Sequence, residues 1–245
     1  MFFLGIPFSP LDLPQATLEV LSGRLKGKMI VTPNVDHVVR FHSDATFKGV
    51  YEQADLYLND SKVLRALSTL VGRALPSVVP GSDLTANILA QGQGTGLKIC
   101  LMGASAETAE NVFSQFPGFG WTHHYPPMGF INSEMEVREC VRIAVDSNSD
   151  LCFVAVGSPQ QEILGRKILE GGFEGVVLCV GASFLFLSGE EKRAPLILRR
   201  FGLEWLFRFL SNPRRLFSRY FIRCPQIFVI LLKSLFISSG TSGRG

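Results

Sequence analysis

The chain has 245 residues, 47% of them hydrophobic and 18% charged, which is enough apolar material for one large or two small packed domains. Its net charge of +3 is unevenly spread: positions 192–245 carry eleven Lys/Arg and one acid, a net of +10, and positions 1–191 carry −7, a balance that argues against a nucleic-acid binder. The five cysteines form no CxxC pair, no run approaches the roughly 18–20 apolar residues of a membrane span, and the first residues lack the basic start of a signal peptide; buried free thiols in a cytoplasmic, at most membrane-associated protein are expected.

In chain order, Leu11 to Leu25 has helical spacing and ends at Gly27. Lys28 to Thr32 reads as a short buried strand stopped by Pro33, Asp36 to Tyr51 as one helix, and Asp55 to Asn59 as a second strand ending on Asp60. Ser61 to Val71 is helical, and Gly81-Ser82-Asp83-Leu84 reads as a loop into another helix, with Ser82 or Asp83 as its cap. Lys98 to Gly103 is a strand running through Ala104-Ser105 into the helix Ala106 to Phe116. Asp150 to Val156 leads through Gly157-Ser158-Pro159 into the helix Gln160 to Leu169, and Gly175 to Val180 is a strand ending at Gly181-Ala182-Ser183. Strands alternating with helices imply an α/β fold with a mostly parallel, Rossmann-like sheet and flanking helices.

In such a sheet ligands bind outside the carboxyl ends of the strands. The residues there are Thr32, Asn34, Asp60, Gly103, Ser105, Gly157, Ser158, Gln161, Glu162, Gly181 and Ser183. Three strand–glycine–small–helix junctions are suited to present N–H groups to a phosphate, although glycine also serves packing at such turns. No G-x-G-x-x-G follows a strand and the Walker pattern is absent, which speaks against a nicotinamide dehydrogenase or a P-loop enzyme. Asp60 fits either a helix cap or a catalytic carboxylate. Thr32 and Asn34 fit a strand end and a turn, and Gln161-Glu162 a polar first turn. The His123-His124 pair reads as an exposed or loop-lining feature.

From Gly202 the tail reads GLEWLFRFLSNPRRLFSRYFIRCPQIFVILLKSLF, with arginines interleaved among Trp, Phe and Leu. Apolar residues of this kind enter a membrane interface while arginines bind phosphate. Arg208 and Arg215 lie on one helical stripe that Pro213 threatens to divide; Arg219 and Arg223 continue it from Arg215 at steps of four. A helical basic appendage over 196–237 is expected after a catalytic body of 1–195, followed by a polar, disordered tail over 238–245.

Several blocks occur in a fixed order: Val31-Thr32-Pro33-Asn34-Val35-Asp36, Ala54-Asp55-Leu56-Tyr57-Leu58-Asn59-Asp60, Gly81-Ser82-Asp83-Leu84, Val156-Gly157-Ser158-Pro159-Gln160-Gln161-Glu162, Val180-Gly181-Ala182-Ser183-Phe184, Lys192-Arg193-Ala194-Pro195 and Gly202 through Arg208 with Asn212-Pro213-Arg214-Arg215. By these blocks the chain resembles the WecG/TagA/CpsF glycosyltransferases (glycosyltransferase family 26) from about Leu4 to Tyr220. The resemblance implies an inverting transferase that moves a sugar from a UDP-sugar donor, of N-acetylmannosamine or glucose type, to a polyprenyl-diphosphate-linked sugar acceptor. It implies work without an obligatory metal or other cofactor, on the anionic inner face of the bacterial cytoplasmic membrane, in teichoic acid or exopolysaccharide synthesis.

On that resemblance Asp60 is the general base, Thr32 and Asn34 line the sugar and acceptor side, and Gln161 meets the donor sugar. Gly103, Ser105, Gly157, Ser158, Gly181 and Ser183 join them as substrate-binding positions. Arg208 and Arg215 fold back over the site towards the diphosphate. Ser61, Val78, Gln160 and Leu185 depart from the family's usual residues, and the last two bear on the donor. Two further readings remain open: a degenerate member that binds a sugar nucleotide or lipid diphosphate as an assembly subunit, and self-association as a homo-oligomer.

Overall fold

The computed structural model describes residues 1–241, and their side chains except at positions 196, 200 and 237–241. A small antiparallel hairpin, β1 (Phe2–Phe3) and β2 (Ile6–Pro7), precedes helix α1 (Leu13–Leu21). Asp12 starts α1 by accepting from the Gln15 N–H while the Gln15 side chain returns to the Asp12 N–H, a reciprocal cap. Strand β3 (Met29–Val31) follows, then α2 (Val35–Ser43), α3 (Ala45–Tyr51), β4 (Leu56–Tyr57), α4 (Lys62–Leu70) and α5 (Gly81–Gly92). The expected single helix over 36–51 is thus two. Asp44 takes an extended conformation between them and turns its carboxylate to the Phe47 N–H, capping the second. Helix α5 begins at Gly81 itself behind Pro80, with no side-chain cap, so Ser82 and Asp83 lie in its first turn rather than in a loop.

The second half contains β5 (Lys98–Gly103), α6 (Ala106–Gln115), β6 (Gly120–His124), α7 (Glu134–Asp146), β7 (Leu151–Ala155), α8 (Gln160–Glu170), β8 (Val176–Cys179) and α9 (Ser183–Ser188). Six strands form one parallel sheet in the order β4-β3-β8-β7-β5-β6. His123 and His124 belong to the edge strand β6 and not to a loop. They point to opposite faces: His123 meets Phe113 of α6 and hydrogen-bonds the Gly103 carbonyl at 3.1 Å, while His124 lies in the field of Glu139 and Glu136 of α7.

Residues alternate between two cores along each strand. Met29, Val31, Cys100, Met102, Cys152, Val154, Val177 and Cys179 fill one face; Ile30, Ile99, Leu101, Leu151, Phe153, Val176 and Leu178 fill the other. Each such side chain contributes about 1.5–3 kcal/mol on burial. Cys100, Cys140, Cys152 and Cys179 are buried free thiols.

Past Lys192 the chain forms α10 (Leu196–Arg200), α11 (Glu204–Ser211), α12 (Pro213–Phe217), a π-helical segment over Ser218–Arg223, and α13 (Gln226–Thr241). Pro213 does divide the stripe: α11 ends two residues before it. Ile227 and Leu231 of α13 are buried in the first core beside α2, so this part of the apolar run serves the body. Of the polar tail expected over 238–245, positions 242–245 lie outside the described residues, and α13 runs on to Thr241. Among the described residues no helix is long and apolar enough to cross a membrane.

Candidate active site

All the strand-end positions named above fall along the carboxyl edge of the one sheet, because the six strands are parallel. They divide into two groups. Strands are spaced about 4.8 Å apart, so the end of β4 lies roughly 14–19 Å from the ends of β7 and β5. Asp60, Thr32, Asn34, Gly181, Ser183 and Gln161 cluster around β4, β3 and β8. Gly103, Ser105, Gly157 and Ser158 cluster around β5 and β7, where the following crossovers run in opposite directions, a crevice of the kind that binds ligands in open α/β sheets.

Asp60 follows β4 and is tied to β3 by its N–H, which donates to the Pro33 carbonyl at 3.0 Å. It does not cap α4. Ser61 does so, its hydroxyl accepting from the Leu64 N–H at 3.1 Å, and Asn59 Oδ1 accepts from the Ser61 N–H. The Asp60 carboxyl is thereby left for other work. It is half-buried and pushed up to about 8, first by burial and then by the Glu204 carboxylate; Arg208 and Arg219 oppose this and Asp83 adds to it.

Thr32 is buried at the end of β3, where α5 begins. A Cβ on Gly81 would lie 3.0 Å from Thr32 Oγ1 and 3.8 Å from Ser183 Oγ, so glycine lets the helix start reach these hydroxyls. Ser183 Oγ donates to the Val180 carbonyl. Asn34 caps α2, its Oδ1 accepting from the Asp36 and His37 N–H groups. Gln161 is buried, and both ends of its amide are used: Oε1 accepts from the Gly181 N–H at 2.8 Å and Nε2 donates to Glu162 Oε1 at 2.9 Å. That network fixes the amide orientation and leaves one Nε2 hydrogen. Burial raises the Glu162 carboxyl, with Gln161 holding it down, and lowers the neighbouring His37 to about 4, so His37 is neutral at ordinary pH.

At β5 the chain turns through Gly103 (φ 102), where a Cβ would meet the Ala155 carbonyl at 2.8 Å. Ser105 caps α6 by accepting from the Thr108 N–H, and the Thr108 hydroxyl donates to Glu190 Oε1 in a short contact. Gly157 (φ 82) and the cis Ser158-Pro159 bond carry β7 into α8.

The tail brings the cations. Arg208 lies 5.3 Å over the Phe186 ring and acts electrostatically on Asp60. Arg215 pairs with Glu191 at 3.2 Å. Both line a cleft of about 270 Å³ with Glu190, Glu191 and Phe207. Among the described residues no group of three His, Cys, Asp or Glu side chains is placed to hold a metal ion.

Sequence reasoning missed Arg193, which spans from the tail to the start of α5, donating to Asp83 Oδ1 at 2.6 Å and Ser82 Oγ at 2.9 Å. It also missed Glu204; being the one acid in a strongly basic tail was its available signal. Ser61 is buried in its capping role, Val78, Gln160 and Leu185 are half-exposed, and the last two start α8 and lie within α9.

A parallel α/β sheet whose carboxyl edge carries a free carboxyl, glycine turns and incoming arginines is an arrangement suited to an enzyme of the α/β class. The model of the Glycosyl transferase WecG/TagA/CpsF family matches residues 1–240, and the chain belongs to that family. A relative in Bacillus spizizenii, N-acetylglucosaminyldiphosphoundecaprenol N-acetyl-beta-D-mannosaminyltransferase, is 32% identical over 212 residues, covering 85% of this chain and 80% of the relative. The protein is a glycosyltransferase.

Proposed function

We propose that the protein is an inverting transferase that moves an N-acetylmannosamine-type or glucose-type sugar from a UDP-sugar to a polyprenyl-diphosphate-linked sugar, in cell-envelope polysaccharide synthesis. The observation that carries this reading is the Asp60 carboxyl: excused from capping by Ser61, desolvated, and within the electrostatic influence of Arg208. The relative's name supports an undecaprenol-diphosphate acceptor and a mannosaminyl group.

Asp60 takes the proton of the acceptor hydroxyl as that oxygen bonds to the donor's anomeric carbon, and the bond from that carbon to the diphosphate oxygen breaks on the opposite side. A carboxyl near 8 is a stronger base than an ordinary aspartate, and part of it is ionised at neutral pH. The departing UDP takes the electron pair, and its charge falls to Arg208 and Arg215 and to the N–H groups at Gly103 and Gly157, with no metal required. Thr32, Asn34 and Ser183 line the sugar side, and Gln161 meets the donor through its remaining Nε2 hydrogen. Exposed Phe201, Leu210, Phe217, Phe221, Ile222 and Phe228 meet an anionic membrane surface on the cytoplasmic side, where the lipid acceptor resides.

The test is UDP release from UDP-N-acetylmannosamine, then from UDP-glucose, with and without a polyprenyl-diphosphate N-acetylglucosamine. Release should depend on the acceptor and fall about 10³-fold in Asp60→Asn. Acceptor-independent release, or an Asp60→Asn variant at full turnover, refutes the reading.

A further inference from the structure

Two arginines of the tail converge on one carboxylate of the body. Asp36 lies in the first turn of α2, two residues after Asn34, and is 3% exposed. Three guanidinium groups surround it. Arg40 of the same helix approaches Oδ2 at 3.2 Å; Arg219 approaches Oδ2 at 3.5 Å and Arg223 approaches Oδ1 at 3.3 Å, both from the π-helical segment. A step of four places Arg219 and Arg223 on one face of that segment, and α13 then buries Ile227 and Leu231 on the same side of the body. Arg215, one step earlier, turns away to Glu191.

The charges are uneven: one buried anion serves three cations. A carboxylate at this depth is costly without partners, and the partly exposed guanidinium groups around it lose their ion-pair partner if it goes. Asp36 Oδ1, Arg40 Nε and Arg219 Nε make no hydrogen bond, so charge rather than aligned N–H···O geometry holds the cluster. Removing the single anion would leave three like charges facing one another.

We propose that Asp36 is a positioning residue whose carboxylate seats Arg219 and Arg223 and so holds the basic tail where Arg208 lies over Phe186. For its effect on turnover the inference rests on the transfer reading above, but the seat itself is measurable without activity.

The experiment is hydrogen exchange of the backbone amides of residues 213–231 in the full chain, together with acceptor-dependent UDP release. Asp36→Asn should speed exchange there about tenfold or more, and should lower turnover about tenfold with the donor KM changed less than about twofold. The double variant Arg219→Gln/Arg223→Gln should do the same. Asp36→Asn added to that double variant should change either readout by less than about twofold, because the seat is already lost. Unchanged exchange in Asp36→Asn, or a further loss of full size in the triple variant, overturns the proposal while leaving the transferase reading intact. Should Asp36→Asn fail to fold, the Arg219→Gln/Arg223→Gln protein carries the test, and unchanged exchange in it is equally fatal. If the wild type shows no transfer, the exchange result still decides the seat.

Discussion

The body and the tail hold their halves of the site by different physics. In the body, Thr32, Asp60, Gly103, Gly157 and Gly181 hang from strand ends whose ladders are anchored in fully buried Cys100, Leu101, Met102, Cys152, Phe153 and Val154. In the tail, α11 buries no residue, and the buried apolar anchors beyond position 195 are Leu216, Ile227 and Leu231 among the described side chains. Ion pairs supply much of its remaining contact: Asp83 with Arg193, Glu191 with Arg215, Asp36 with Arg219 and Arg223. Ion pairs at half-exposed positions weaken with salt, whereas a buried ladder does not. The candidate residues of the body are therefore held by its packed core, and the cations of the tail largely by charge.

The largest effect belongs to Asp60, where the two regions meet. Its carboxyl stands near 8 in the folded chain against roughly 4 when unfolded. As pH rises from about 4 to 8 the unfolded chain loses this proton and the folded chain keeps it, so the wild type loses stability over that window. Asp60→Asn should remove that loss: a variant about 10³-fold slower, yet with a thermal midpoint that rises relative to wild type as pH climbs from 4 to 8. In the wild type kcat/KM should climb with pH and level off above about 8. Because Glu204 sits on the tail and raises Asp60, Glu204→Gln should move that limb to lower pH. An unmoved limb would mean that the tail does not reach the base, and the comparison would break there.

The next effect tests the rigid half alone. Gly103→Ala places a Cβ 2.8 Å from the Ala155 carbonyl at φ 102, combining overlap with backbone strain. It should cost about 2–4 kcal/mol in urea unfolding. Gly157→Ala meets nothing within 4 Å, so only its φ of 82 counts, and it should cost about 1–2 kcal/mol. Equal costs at the two turns would show that the β5–β7 crevice relaxes more readily than its packing implies.

What was legible in the sequence follows the same division. Thr32, Asp60, Gly157 and Gln161 were found because each ends or follows an apolar run, and apolar runs become buried strands. Strand β6 and helix α7 escaped notice: Gly120–His124 is a half-buried edge without apolar alternation, and α7 follows an irregular Pro- and Gly-containing connection over 125–133. The break at Asp44 carries neither proline nor glycine. Asp60 and Ser61 are both favoured caps, so only coordinates show which hydrogen-bonds the helix. The tail's seat was out of reach altogether, since Asp36 and Arg223, like Asp83 and Arg193, are paired by folding and not by spacing.

A last pair of variants separates Arg208 from Arg215, the tail's two candidate arginines. Arg208 is half-buried against Phe186 and acts on Asp60, so Arg208→Ala should lower turnover about 10²-fold, the scale for losing one preorganised charge at a developing anion. Arg215 has a side chain 63% exposed and pairs with Glu191, an arrangement worth at most about 1 kcal/mol to folding. Arg215→Ala should therefore leave the thermal midpoint in place. If Arg215 leaves Glu191 for the diphosphate when donor and acceptor are bound, turnover should still fall about tenfold, with donor KM little changed. Glu191→Gln frees Arg215 in advance, and should leave that turnover intact or raise it. A fall in turnover for both variants would instead make the Glu191–Arg215 pair itself the functional unit, and the tail would then act in the conformation seen here without a further movement of this side chain.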